Sequence, residues 1–394
     1  MNLRNYLSKI KTNNNLSVYL VRILAALVQI TVVFFLSSIE LETLGIYSFF
    51  TALAAITCQT CNFEGHQHVL TKSLDIHKLK RYYLLSFSIW LFIALSLLIV
   101  TFYLEKTAVI FLSIFLLSVT LDWSIHLKTL EDRLKENDFS FQRLTKFKGL
   151  VVDLFLPGLC ILVLILKPPL MELILFLPFA FFLLSIFDFY KTLKVNILEF
   201  PHYSLWIGVT FKRLDSVLIR IFVGYFWGYQ ILGYLQPVLS MGRVVALLTP
   251  YWINLNLNTV FNKIDTKSLD YFKLLIFQIL SYFIYFAFAI LSYYLYYNLI
   301  NTPNEYEFIV FLVIFFWFGT QNTKAFVRVL SISDLTISFN NGLTLFGVIL
   351  KFLLSFFISE ENTVHLVFLY LAIDLLLVLT LLISFSPKVK RGKF

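Results

Sequence analysis

Residues 364–385 read VHLVFLYLAIDLLLVLTLLISF, 22 positions in which Asp374 is the one charged side chain. As a helix this stretch is about 33 Å long at 1.5 Å per residue, enough to cross the ~30 Å hydrocarbon core of a bilayer. A carboxylate in the middle of such a span costs free energy and therefore needs a partner or a function. The rest of the chain follows the same pattern. Of 394 residues 59% are hydrophobic and only 14% charged, against about 25% charged in soluble domains. This composition excludes a water-soluble globular protein and predicts an all-α polytopic membrane protein.

Eleven further apolar stretches lie near 17–38, 43–63, 83–103, 107–127, 149–166, 169–190, 204–226, 229–256, 273–298, 306–326 and 335–358. About 12 transmembrane helices follow, in two six-helix bundles. With the amino terminus inside, twenty-four of the 32 Lys and Arg fall on cytoplasmic segments, Lys324 and Arg328 among them, and only Lys106 and Lys167 fall on outside turns. The positive-inside rule then places both termini in the cytoplasm. The net charge of +9 is thus chiefly an orientation signal. The outside turns are short and acidic, with Glu40, Glu42, Glu360 and Glu361, so no folded external domain is expected.

The expected organisation is a cytoplasmic amphipathic segment at 1–16, an N-terminal bundle at 17–190 and a cytoplasmic linker at 191–203. A C-terminal bundle at 204–385 and a basic tail at 386–394 complete it. Leu3, Tyr6, Leu7 and Ile10 beside Arg4, Lys9 and Lys11 suit a helix lying on the inner leaflet. No small-residue cleavage site follows the first span, so a removable signal peptide is not expected. Cys58 and Cys61 form a Cys-x-x-Cys with Glu64, His66 and His68 nearby. No second ligand pair stands at zinc-site spacing, and small thiols also pack well between helices, so no metal and no cofactor are expected.

Six cations fall inside the spans: Arg22, Lys212, Arg213, Arg220, Arg243 and Lys351. Arg22 is near enough to the inner interface to snorkel. Lys212 and Arg213 stand close to Asp215, so a structural ion pair is an alternative for them. Arg220, Arg243 and Lys351 lie deeper, with little acid near them in sequence. A hydrated cavity holding such a surplus of cations is an anion site, and Arg binds phosphate through a planar two-donor fork. Among the acids Asp215 and Asp374 are deepest. Either suits a coupling proton or Na⁺, and each suits pairing with a buried cation instead.

Leu44, Gly45, Ile46 and Tyr47 follow the first span and Leu232, Gly233, Tyr234 and Leu235 the seventh, an offset of 188 residues. Two parallel repeats related by an axis along the membrane normal account for this spacing. With Arg22 in the first span, Glu42, Gly45 and Tyr47 in the first turn, Gly65 after the second span, and Asp215, Gly224, Gly233 and Tyr234 around the seventh, the sequence resembles the polysaccharide repeat-unit (O-antigen type) flippases. These belong to the multidrug/oligosaccharidyl-lipid/polysaccharide exporter superfamily. The resemblance implies alternating access in a bacterial cell inner membrane, with an undecaprenyl-pyrophosphate-linked oligosaccharide as substrate.

On that reading Arg22, Arg213, Arg220, Arg243 and Lys351 bind the pyrophosphate and Asp215 or Asp374 couples to an ion. Tyr47, Trp206, Trp227, Tyr251, Trp252 and Gln321 are candidate sugar contacts. A polysaccharide polymerase and a chain-length regulator are the expected protein partners, beside the lipid bilayer.

No nucleotide-binding Gly-x-x-x-x-Gly-Lys-[Ser/Thr], no Gly-x-Ser-x-Gly and no Asp-x-Asp in a soluble loop occurs, so hydrolase and common glycosyltransferase chemistries lack their parts. The 128–148 loop mixes both charge signs and is no nucleic-acid surface. Two other readings stay open. One is a multidrug or ion-coupled exporter of the same superfamily, and the other is the membrane enzyme that polymerises the repeat units.

Overall fold

The computed structural model describes residues 3–62, 203–255, 271–299, 308–330 and 334–391, together with 88–89, 91–92, 96, 111–112, 115, 119, 122 and 125. Among these residues the regular structure is entirely helical. The expected spans at 149–166 and 169–190 lie outside the described residues, and those at 83–103 and 107–127 are described only at these scattered positions. The chain divides into two compact units, Met1–Arg213 and Leu214–Phe394.

In the first unit, α1 runs from Leu3 to Ile39 and α2 from Leu41 to Asn62. At 37 residues α1 is about 55 Å long, well beyond a ~30 Å hydrocarbon core. Residues of the 1–16 segment therefore continue the first helix instead of forming a separate one. Asn13, Asn14 and Asn15 do not interrupt it, because the edge of an apolar run marks a change of surroundings and not a change of backbone.

A single residue, Glu40, separates α1 from α2. Its Oε2 accepts a bond from Thr43 Oγ1 at 3.0 Å, and Glu42 lies in the first turn of α2. Both carboxylates complement the positive end of the helix dipole. Tyr47 is buried and packs edge-on against Phe111 at 5.9 Å, which gives this candidate sugar contact a place in the packing of the unit.

The second unit begins inside α3 (Tyr203–Phe222). A π-helical turn, Val223–Trp227, follows, then Gly228 at φ 97°, a conformation that only glycine adopts without strain. The chain continues through α4 (Tyr229–Leu255), α5 (Tyr271–Leu299), α6 (Phe308–Leu330) and α7 (Asp334–Ser355). A short 3₁₀ turn at Glu360–Asn362 leads into α8 (Thr363–Arg391).

Helix α6 is central to this unit and packs on α4, α5 and α8, while α7 packs on α8. Glycines set these seams. A Cβ on Gly242 of α4 would lie 2.6 Å from Phe318, one on Gly319 of α6 3.1 Å from Tyr285, and one on Gly347 of α7 2.5 Å from Leu377. Close approach through small residues is how helices pack where lipid removes the hydrophobic drive between them.

Polarity is arranged inside out. Phe346, Ile349 and Leu353 form an exposed stripe on α7, and Phe283, Ile290, Tyr294 and Tyr297 form one on α5. Asp215, Lys324, Lys351 and Asp374 are by contrast at most 1% exposed. A soluble protein buries the first set and exposes the second. Leu41–Cys58 and Thr363–Leu381 are long and apolar enough to cross a membrane, which together with the exposed stripes supports a membrane protein.

Candidate functional site

Four buried charges on four helices close a ring. Asp215 of α3 accepts from Lys351 of α7 on Oδ1 at 2.6 Å and from Lys324 of α6 on Oδ2. Asp374 of α8 meets Lys324 with Oδ1 and Lys351 with Oδ2, each at 2.7 Å. Each carboxylate thus bridges both ammonium groups, and each ammonium bridges both carboxylates. The formal charge of the ring is zero, which is the condition for holding four ions away from water.

A second layer of polar groups holds the ring in place. Trp317 Nε1 donates to Asp374 Oδ2 at 2.8 Å and Gln321 Nε2 to the same oxygen at 2.5 Å. Trp317, Gln321 and Lys324 stand at i, i+4 and i+7 on α6, so one helical face delivers all three. The Lys351 ammonium lies 5.4 Å from the Tyr370 ring centroid, within cation–π range. Ser355 Oγ donates to the Lys351 carbonyl at 2.6 Å and lies 3.2 Å from the Tyr370 hydroxyl.

Beside the ring is a small cavity of about 10 Å³ lined by Ser216, Ile219 and Arg220 of α3, by Gln236, Leu239, Ser240 and Arg243 of α4, and by Trp317 and Phe318 of α6. Its volume suits about one water and not a phosphate. The lining positions recur at three and four residues along α3 and α4, so each helix offers one face. Gln236 Nε2 donates to Ser240 Oγ at 2.8 Å, and Arg220 is buried. Trp317 belongs to both places, walling the cavity and bonding the ring.

Of the cations expected at an anion site, Arg220 and Arg243 are brought to the same cavity. Lys351 is not among its lining residues. It sits in the ring, where the acid missing from its own neighbourhood in sequence is supplied by two carboxylates on other helices, α3 and α8. Lys324, counted above with the cytoplasmic charges, is fully buried in α6, because the same two carboxylates hold it there.

Asp215 pairs with these lysines and not, as its neighbourhood in sequence suggested, with Arg213 two positions earlier; residues i and i+2 on a helix point to different sides. Asp374 has the buried-cation partners foreseen as one of its alternatives. Arg213 and Lys212 are half-buried at the end of the first unit. Arg22 lies on α1, and its side chain is outside the described residues.

Gln321 is engaged with Asp374, and Trp227 packs edge-on against Phe222 at 5.7 Å. The side chains of Cys61, Trp206, Tyr251 and Trp252 lie outside the described residues, as do Glu64, His66 and His68; Cys58 is half-buried on α2. Among the described residues no three His, Cys, Asp or Glu side chains are grouped to hold a metal ion.

Lys324 and Trp317 are among the site residues that the sequence reading missed. Their signal is the spacing Trp317, Gln321, Lys324, a polar face on an otherwise apolar helix. Comparison of the chain with protein-family models, with curated proteins and with solved structures finds no match.

Proposed function

We propose that the chain is a flippase that carries undecaprenyl-pyrophosphate-linked oligosaccharide repeat units from the inner to the outer leaflet of a bacterial inner membrane, for surface polysaccharide assembly. It makes and breaks no covalent bond. The observation that carries the reading is the convergence of Arg220 and Arg243, from two helices, on one cavity within a unit whose outer faces are apolar. Two guanidinium groups, two serine hydroxyls and a glutamine amide are donors suited to a phosphate group and the sugar beside it. The prenyl chain stays in lipid, and the apolar stripes of α5 and α7 suit a protein bathed in it.

The full architecture belongs to the same proposal. It has twelve spans in two six-helix bundles, both termini in the cytoplasm, and a polymerase and chain-length regulator acting on the delivered lipid. A proton or Na⁺ that couples transport through Asp215 or Asp374 has to displace a lysine ammonium from the ring.

The test is translocation of a fluorescent lipid-linked oligosaccharide by the purified protein in proteoliposomes, with and without imposed ion gradients. Movement of the lipid supports the flippase. Chain extension without movement assigns the polymerase, and export of cationic drugs without lipid movement assigns the multidrug exporter.

A further inference from the structure

The cavity between α3 and α4 holds two arginines in a space too small for a phosphate, so the walls that carry them have to part before any anion enters. The four-charge ring joins α3, α6, α7 and α8. Tyr282 of α5 lies 3.2 Å from the hydroxyls of Thr320 and Thr323, and Asn322 of α6 donates to Tyr285, which ties α5 to α6. None of the four ring charges stands on α4, which supplies Gln236, Ser240 and Arg243 to the cavity.

Its amino-terminal end is also built to bend. The π-helical turn and Gly228, at φ 97° with open space around its Cα, precede it. Pro237 has no N–H to give the Gly233 carbonyl one turn back, so the helical ladder is interrupted between these two residues. Beyond the interruption α4 meets α6 where the Phe318 ring sits over Gly242 and where Asn322 Nδ2 donates to the Ala246 carbonyl at 3.2 Å, and it also packs on α5.

We propose that α4 is the movable wall of the arginine cavity: it swings at Gly228 and at Gly233–Pro237 and lifts from Phe318 and Asn322, while the charge ring holds α3, α6, α7 and α8 together. The motion separates Arg243 from Arg220 and opens the site to an anion; the identity of that anion rests on the flippase reading, whereas the hinge does not.

Thiol accessibility of the full-length protein in detergent tests the hinge. Cys58, Cys61 and Cys160 are replaced by Ser, Ser240→Cys reports on the α4 wall, and a water-soluble methanethiosulfonate is the reagent. Gly242→Ala drives a methyl into Phe318, and the expected result is labelling about tenfold faster, since overpacking disfavours the closed seam. Phe318→Leu added to Gly242→Ala is expected to return the rate towards that of the parent, and Asn322→Ala, which removes the bond to the Ala246 carbonyl along with that to Tyr285, to raise it independently. Thr344→Cys, buried on α7, is expected to label no faster in any of these backgrounds.

An unchanged Ser240→Cys rate in both Gly242→Ala and Asn322→Ala overturns the proposal, and so does equal acceleration at Thr344→Cys, which means general loosening. Inorganic pyrophosphate, added as a probe, is expected to slow the Ser240→Cys reaction. Acceleration by the seam variants without pyrophosphate protection supports the hinge and removes the anion reading.

Discussion

Trp317 gives its indole N–H to Asp374 Oδ2 at 2.8 Å while the same side chain walls the cavity of Arg220 and Arg243. The charge ring and the candidate anion site therefore share one residue. Trp317→Phe keeps an aromatic wall and deletes the donor. Asp374 retains Gln321 and both lysines, so the expected loss is about 1.5–3 kcal/mol, the range for a hydrogen bond to a charged group. It is measured by equilibrium unfolding in detergent. A loss under a few tenths of a kcal/mol shows that this bond does not help to hold the ring.

The ring is stable only when its charges cancel. Asp374→Asn leaves two lysines on one carboxylate, a net positive charge buried among four helices, and is expected to cost about 3–5 kcal/mol. Asp374→Asn combined with Lys351→Met leaves Asp215 and Lys324 as a neutral pair and is expected to recover most of that loss. The quantity to measure is the coupling energy of the double-mutant cycle. Additive losses contradict a closed ring.

These four residues also show which part of the molecule is legible in the sequence. Runs of about twenty apolar residues declare their helices because each needs only its own composition to be recognised. The stretch 229–256 became α4 at Tyr229–Leu255, and 273–298 became α5 at Tyr271–Leu299. The polar start of α1 was not legible in this way, since hydropathy reports the surroundings of a helix and not its backbone. The ring was not legible either. Its bonded members are 23 to 136 positions apart, and their meeting depends on the rotation and register of four helices. Lys351 accordingly read as a solitary cation and Lys324 as a cytoplasmic one. Arg220 and Arg243 were easier, because both lie deep in adjacent spans joined by a short turn.

Two neighbouring positions on α7 separate the lipid face from the interior. Ile349 is 48% exposed and Lys351 fully buried. Ile349→Lys puts a charge on the outer stripe, at an expected cost of about 2.5–3.5 kcal/mol on the insertion scale for the centre of a span. The yield of folded, membrane-integrated protein should fall accordingly, as read by size-exclusion profiles of a fluorescent fusion. Exposed Ile on a protein that works in water tolerates the same change within about 0.5 kcal/mol. An unaffected yield therefore contradicts a lipid-facing α7.

The arginine cavity makes the sharpest functional prediction. Arg220→Ala and Arg243→Ala each remove one guanidinium from a proposed phosphate site. A charge-assisted contact of about 1.5–3 kcal/mol corresponds to roughly 10- to 150-fold in affinity. Lipid-linked oligosaccharide translocation in proteoliposomes is thus expected to fall at least tenfold at subsaturating substrate. Arg→Lys at either position keeps the charge but loses the planar two-donor fork, so it is expected to recover only part of the rate. If Lys restores full transport, the site reads charge alone and the fork geometry is irrelevant. If both Ala variants transport normally while remaining folded, the anion crosses elsewhere and the cavity between α3 and α4 is not the substrate site.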